Sequence, residues 1–323
     1  MSEPAKGIAA MIAACVIWSF SSLYYKFLAD IPPLEVLGHR SFWSLIFFLV
    51  ILGAQRRLPV LWALLKDRNS MRIVAFAALA ISANWFFFIY AVQNGHAMDA
   101  SFGYYIFPLL AVLIGTIAYR ERLGMVQKIA IGAVFIAVLV LTIGLGKLPL
   151  VALVLAVTFA LYGVAKRGLA AGPVISVTGE VVLLAPFAII WLLGVHFAGW
   201  QGIAGAGDAL GAAQTGAQSA AKIQSAFFGT EWQVSLLLIF AGPLTAVPLI
   251  LFSYATKRIN YATLGLVQYL NPTIQFAIAV GLYGEVFTRA HAIAFPLIWA
   301  ALALYTYSAI SRERSLRKAA TTA

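Results

Sequence analysis

His39 and Arg40, two adjacent residues near the start of the second apolar stretch of the chain, are the first candidates for chemistry. An ionised side chain costs at least about 2.5–3.5 kcal/mol at the centre of a lipid bilayer, so a charge in an apolar stretch needs a reason. Arg40 could hold a carboxylate through paired N–H···O bonds, and His39 could change protonation near neutral pH. Alternatively, both side chains reach the membrane surface or form a structural pair with Glu180.

Glu180 is the one carboxylate well inside an apolar stretch. Burial of a carboxyl group favours its protonated form, which would suit proton coupling. A permanent ion pair with Arg40, Lys26 or Arg167 is the alternative. The sequence leaves both interpretations of Glu180 open.

Amide and aromatic side chains supply the other candidate ligands. Gln268, Asn271 and Gln275 follow a spacing of i, i+3 and i+7, which places them on one stripe of a helix. These side chains either line a cavity or hydrogen-bond between helices. The remaining candidate substrate-binding residues are Trp18, Tyr25, Trp43, Asn84, Trp85, Phe88, Tyr104, Tyr105, Tyr254 and Tyr269.

The composition indicates that the elements carrying these residues are membrane spans. Of 323 residues, 63% are hydrophobic and 10% are charged, and the charges lie between apolar runs of about 20 residues, the length that crosses a bilayer. We therefore predict an all-α polytopic membrane protein with ten transmembrane helices. The predicted spans are 7–28, 35–55, 71–93, 99–118, 126–143, 149–166, 175–195, 234–256, 261–283 and 290–309.

The positive charges predict the orientation of these spans. With the N-terminus in the cytoplasm, 17 Lys and Arg residues fall on the cytoplasmic side and five on the other. Positive residues in short loops favour the cytoplasmic face, so both termini are predicted to be cytoplasmic in a multi-pass protein of the inner membrane. The net charge of +11 is therefore a topology signal, and we expect no nucleic-acid partner.

The chain also contains an internal repeat. Tyr105 and Pro108 recur 164 residues later as Tyr269 and Pro272. Two five-helix repeats, 1–146 and 147–323, with an external loop insertion at 196–233, account for this pattern. Because five is odd, the second repeat enters the membrane from the opposite face, as in many secondary transporters. Prolines inside spans free backbone carbonyls and point to a site near the midplane.

Several short motifs carry a family resemblance. They are Trp18, Leu37-Gly38-His39-Arg40, Asn84-Trp85, Ala100-Ser101-Phe102-Gly103-Tyr104-Tyr105, Tyr119-Arg120-Glu121, Thr263-Leu264-Gly265 and Tyr283-Gly284-Glu285. Together they resemble the RarD branch of the EamA family, in the drug/metabolite transporter superfamily. The resemblance implies ten helices, inward termini, a central cavity, and export of metabolites or amino-acid-like compounds. Proteins of this branch are commonly labelled chloramphenicol-sensitivity permeases.

The predicted function is secondary-active export of a small molecule by alternating access, with proton coupling left open. A passive channel, a non-transporting scaffold and a membrane-embedded enzyme are the alternatives. The sequence has no HExxH motif and no P-loop, and its single cysteine, Cys15, offers no cysteine-based metal site. We therefore expect no enzyme activity, cofactor or metal. The expected partners are a small-molecule substrate and the lipid bilayer, and a homodimer is left open.

Overall fold

The computed structural model describes residues 2–119, 124–166, 168–200, 227–259 and 267–322, in which eleven helices and no strand occur. The helices are α1 (Glu3–Phe27), α2 (Pro33–Ala54), α3 (Leu58–Lys66), α4 (Arg68–Gln93), α5 (Ala97–Tyr119), α6 (Met125–Leu145), α7 (Leu150–Lys166), α8 (Pro173–Ala198), α9 (Trp232–Thr256), α10 (Leu270–Gly281) and α11 (Arg289–Thr322).

Seven of the described helices contain a segment long and apolar enough to cross a membrane, and α7 is a shorter apolar helix. The predicted all-helical class is therefore confirmed. The predicted span 261–283 falls partly outside the described residues. The short helix α3 was not predicted; it follows Arg56, whose backbone is left-handed with φ 54°, and it leaves the Trp62 side chain 62% exposed.

The prolines stand at different places in their helices. Pro33 and Pro173 begin α2 and α8, where the missing amide donor costs nothing. Pro108 lies inside α5, as predicted. Pro272, in contrast, is the third residue of α10 and not a mid-helix residue, because the described helix begins only at Leu270. Amide groups in a first turn lack intrahelical acceptors in any case.

The helices pack in pairs that bring the two parts of the chain together. α2 packs against α8 and α9, α5 against α7 and α10, α1 against α9 and α10, α4 against α7, and α6 against α11. Two contacts join backbones directly. A Cβ atom at Gly242 of α9 would lie 2.6 Å from the carbonyl oxygen of Trp43, and one at Gly103 of α5 would lie 2.6 Å from that of Ala152. Only glycine permits these approaches.

Candidate functional site

Arg40 is buried in α2, where its side chain is held between aromatic rings. Its Nη1 atom donates a hydrogen bond of 2.6 Å to the Tyr25 hydroxyl, and the guanidinium lies 4.1 Å from the centre of the Trp85 ring. Arg40 is 8% exposed. Stacking on tryptophan is the most favourable cation–π contact, and it orients the planar guanidinium.

The charge of Arg40 has no anionic partner among the residues that the structure describes. None of the ion pairs found within 4.0 Å includes this guanidinium, and its Nε atom is buried without a hydrogen-bond partner. A buried cation without a counter-ion is costly, and an unsatisfied donor adds to that cost. The arrangement suits an anionic ligand that would supply both the charge and the acceptor.

Asn84 lies between α4, α5 and α7 and uses both ends of its amide. Nδ2 donates to the Leu155 carbonyl at 3.0 Å and to the Thr158 hydroxyl at 3.1 Å, and Oδ1 accepts from Tyr104 at 3.1 Å. Asn84 thus hydrogen-bonds between helices, as polar side chains in membrane proteins commonly do. Its role here is to fix the Tyr104 ring in place.

A continuous row of aromatic rings runs from Arg40 to the beginning of α8. Ring centroids are 5.9 Å apart between Tyr25 and Phe88 and 5.7 Å apart between Phe88 and Tyr104. The row continues through Phe159, 5.7 Å from Tyr104, to Tyr162, which stacks on Phe159 at 5.8 Å. The four pairs are edge-to-face, tilted or stacked, and edge-to-face and offset-stacked arrangements are favourable aromatic geometries. They form a rigid apolar wall between two charged positions.

Glu180 stands at the far end of this row as half of a buried ion pair. Its Oε1 atom accepts a hydrogen bond of 2.7 Å from Lys166, and Oε2 accepts one of 3.2 Å from the Tyr162 hydroxyl. Lys166 is 19% exposed and Glu180 is not exposed at all. The sequence suggested Arg40, Lys26 or Arg167 as ion-pair partners. Lys166 fills that role instead, and Arg167 lies outside the described residues.

His39 and Trp43 occupy a second face of α2, one turn apart, and do not touch the aromatic row in the described contacts. Both pack against Phe228, from the turn before α9: the His39 ring stacks on it at 5.0 Å and Trp43 lies at 6.0 Å. The His39 Nδ1 and Trp43 Nε1 atoms are buried without hydrogen-bond partners. Glu35, four residues before His39, accepts a hydrogen bond of 3.0 Å from the Phe227 amide.

Tyr105 and Tyr269 lie apart from Arg40, at a separate cavity. The Tyr105 hydroxyl is 2.7 Å from the Thr273 hydroxyl, and these residues, with Trp299, line a space of about 310 Å³ between α5, α10 and α11. The lining is mainly apolar. The structure therefore separates these two candidates from the Arg40 site.

The remaining candidates are dispersed. Trp18 packs against Phe252 at 6.0 Å, and Asn271 accepts a hydrogen bond of 3.1 Å from Ser19 through its Oδ1 atom. Gln268 is half-buried just before α10. Tyr254 is 37% exposed, with the Arg258 guanidinium 3.5 Å from the centre of its ring. The candidate residues thus form several groups, and only one group surrounds Arg40.

Two ionisable groups in the loops have structural roles. Glu285 accepts hydrogen bonds of 2.7 Å from the amides of Ala97 and Met98, so it caps the beginning of α5. Burial raises the pKa of Glu285 above its ordinary value, although the two amides act in the opposite direction. A hydrogen bond to Asp99 raises the pKa of His96. Glu121, which precedes Glu285 by the 164 residues of the repeat, lies outside the described residues.

The chain is similar to known transporters over almost its full length. Residues 5–143 match the model of the EamA-like transporter family. An uncharacterised transporter of Pseudomonas aeruginosa is 38% identical over 97% of this chain and 96% of its own. Uncharacterized transporter YojE of Bacillus subtilis is 34% identical over 97% and 98%. Protein RarD of Escherichia coli K12 is 33% identical over 97% and 98%.

The chain is a RarD-like member of the EamA family. Family membership and the apolar helices together make it a multi-pass membrane transporter of the drug/metabolite type, with a small-molecule substrate. One solved crystal structure aligns with 92% of this chain and 96% of its own, with a TM-score of 0.55 and 18% sequence identity. This likeness concerns the fold alone.

Sequence reasoning missed five residues around the sites of this EamA-family chain: Glu35, Phe159, Tyr162, Lys166 and Phe228. Two local signals were available. Glu35 precedes His39 by four residues, which places both on one helix face, and Tyr162 and Lys166 have the same spacing. The contribution of Phe228 had no such signal, because it comes from a turn distant in sequence.

Proposed function

We propose that this chain is a secondary-active exporter of small organic anions, such as carboxylate-bearing or amino-acid-like metabolites, working by alternating access. The observation that carries the proposal is the buried guanidinium of Arg40, which lacks an anionic partner among the described residues. Protein folding alone disfavours such a group. A transported anion would neutralise it during each cycle, which gives the charge a function.

The surroundings of Arg40 suit binding of a carboxylate next to an apolar body. Tyr25 and Trp85 hold the guanidinium plane, and the unpartnered Nε edge could donate to one carboxylate oxygen. Phe88 and Tyr104 continue the wall beyond it. We propose that the rest of the substrate lies along this aromatic row.

We propose that α1–α6 and α7–α11 are the two inverted repeats, with both termini cytoplasmic. The helix packing supports this idea, because replacing each helix by its counterpart in the other repeat gives a pair of helices that is also in contact. α4 packs on α7 as α9 packs on α1, and α5 packs on α7 as α10 packs on α1. α2 meets its counterpart α8, α5 meets α10, and α6 meets α11. An approximate two-fold axis would produce this pattern.

Glu180 is our candidate for proton coupling. It is bound to Lys166 and to the Tyr162 hydroxyl at the end of the aromatic row opposite Arg40. Protonation of Glu180 would break the ion pair and free Lys166 to move. A proton gradient could thereby bias the two access states. Transport that is indifferent to pH gradients of either sign would leave a uniporter.

Reconstitution in proteoliposomes tests the proposed function. A thermal-shift screen with organic carboxylates and their neutral amides selects the probe, and the carboxylate should raise the melting temperature more than its amide. Counterflow with that carboxylate should be saturable and stimulated by substrate on the opposite side. Linear, unsaturable flux would indicate a channel, and no carboxylate-dependent shift or flux would refute the organic-anion carrier.

A further inference from the structure

We propose that a small basic cavity where the end of α2, the beginning of α8 and the end of α9 meet binds the phosphate headgroup of an anionic membrane lipid. The cavity has a volume of about 240 Å³. It lies apart from the proposed transport site, because α2 rises about 21 Å between Arg40 and Ala54, and the cavity residue Arg57 follows beyond that end. Its ligand is therefore distinct from the transported solute.

Two cations line the cavity. Arg57 lies in the turn between α2 and α3, Lys257 follows the last residue of α9, and both are exposed. In the part of the chain that the structure describes, neither residue forms an ion pair within 4.0 Å, and no Asp or Glu lines the cavity. Two cations from separate helices that share one space without a carboxylate attract an anion to that space.

The other walls of the cavity supply hydrogen-bond donors. Ser253 of α9 lines it and carries a hydroxyl group that can donate. Residues 172–175, at the beginning of α8, line it as well, and Gly172 caps this helix without a side-chain hydrogen bond. Amides in the first turn of a helix have no acceptor within the helix. Together with Arg57 and Lys257, these groups match the charge and the acceptor oxygens of a phosphate.

The short helix α3 connects the cavity to an apolar surface. It begins directly after Arg57 and packs against α8. The buried Leu61 of α3 belongs to the same hydrophobic cluster as Ile175, which also lines the cavity. The position of α3 beside the cavity is therefore fixed by packing.

The outer face of α3 favours a lipid over a soluble anion. Leu58 and Trp62, one turn apart, are 42% and 62% exposed, and Lys66 lies one turn further on, 5.6 Å from the centre of the Trp62 ring. An exposed tryptophan beside a lysine is typical of the boundary between headgroups and acyl chains. In the proposed topology this end of the bundle faces the cytoplasm, where anionic lipids attract basic groups. The headgroup would occupy the cavity, and the acyl chains would lie along α3.

Titration with short-chain lipids tests the site without a transport assay. The protein in a non-ionic detergent is titrated with dioctanoyl phosphatidylglycerol. Arg57→Ala/Lys257→Ala should weaken binding at least about tenfold, because each cation near the headgroup contributes to the attraction. Arg68→Ala/Arg72→Ala, which removes two exposed charges from α4 instead, should bind as the unmodified chain does. Arg57→Lys/Lys257→Arg, which keeps both charges, should retain binding.

Two further ligands identify the source of the phosphate. Dioctanoyl phosphatidylcholine, which has no net charge, should bind at least about tenfold more weakly than phosphatidylglycerol. Glycerol 3-phosphate, which has no acyl chains, should not displace phosphatidylglycerol. Displacement by glycerol 3-phosphate would make this a site for soluble phosphates and overturn the lipid assignment. Equal binding of the two lipids, or equal losses in the cavity and α4 variants, would overturn the site itself. Because no solute flux is measured, a failed transport assay would refute the carrier separately.

Discussion

The beginnings of α2 and α8 place charge in the same kind of surroundings and treat it in opposite ways. Both helices start at a proline, Pro33 and Pro173, and both carry a buried ionisable side chain about two turns later. Glu180 of α8 is paired with Lys166. Arg40 of α2 has only an aromatic hydroxyl and two ring faces as partners among the described contacts.

The difference separates a buried charge that is paired within the protein from one that has no anionic partner among the described residues. A buried ion pair contributes little net stability, yet it is complete, and removing one member leaves the other exposed to the full cost of burial. A buried cation without a counter-ion has that cost already. The first arrangement predicts damage to stability on mutation, and the second predicts damage to binding. The four predictions below test this contrast.

The largest effect is expected where the ion pair is broken. Lys166→Met leaves Glu180 buried without a cation and should destabilise the fold by about 3 kcal/mol. The double variant Lys166→Met/Glu180→Leu should recover most of that loss, because no charge remains. Thermal melting in detergent measures both. Lys6→Met, which removes an exposed pair with Glu3, is the control. Equal losses for the two lysines would remove the distinction between buried and exposed pairs.

Arg40→Ala should act on binding instead. We expect a loss of at least about 100-fold in carboxylate affinity, about 2.7 kcal/mol, because the guanidinium supplies the charge that the anion needs. The melting temperature without ligand should stay the same or rise. Titration of the selected carboxylate measures affinity, and Arg57→Ala, at an exposed position just before α3, is the control. Unchanged affinity in Arg40→Ala would exclude Arg40 from the site.

A smaller effect is expected from the ring beneath the guanidinium. Trp85→Leu removes the cation–π contact at 4.1 Å and should weaken carboxylate binding about fivefold, since such a contact contributes about 1 kcal/mol. Trp62→Leu removes an exposed contact with Lys66 at 5.6 Å and should change nothing in the same titration. If both tryptophans gave the same result, the ring would not position Arg40.

The smallest effect concerns a partly exposed pair at the beginning of α5. His96 and Asp99 are 3.3 Å apart, and the hydrogen bond to Asp99 raises the pKa of His96. The stabilisation is therefore complete below about pH 6.5 and is lost as the pH rises through the folded-state pKa. Between about pH 5.5 and 8.5, the melting temperature should depend slightly less on pH in both His96→Gln and Asp99→Asn than in the unmodified chain. A larger effect than that of Lys166→Met would contradict the ranking.

The sequence predicts the helices well because the length of an apolar run and the position of charges fix a span directly. Eight of the ten predicted spans coincide with a described helix to within a few residues, and a ninth, 290–309, begins with α11, which continues to Thr322. α3 escaped prediction because nine residues are too short to give a span signal. The start of α10 at Leu270, after a turn at Tyr269, was not predicted either, because Pro272 alone does not reveal where a helix begins.

The site was harder to predict than the helices because these helices are apolar around most of their circumference. Lipid-facing and core-facing sides then look alike in sequence, so the rotation of each helix cannot be inferred from its pattern. Arg40 was identified because a charged residue inside an apolar span is costly and therefore needs an explanation. The partners of Glu180, the separation of Tyr105 and Tyr269 from Arg40, and the ring of Phe228 all depend on how distant segments pack.

The contacts at Gly103 and Gly242 limit the mechanics of the molecule. At both places one backbone rests directly on another, α5 on α7 and α9 on α2, with no side chain between them that could change rotamer to absorb a displacement. Pulling either pair of helices apart would open an empty slot in the core. The helices can still tilt about such a point of contact. Reorientation of the two parts of this chain would therefore keep these two crossings in contact and place its largest movements at the helix ends.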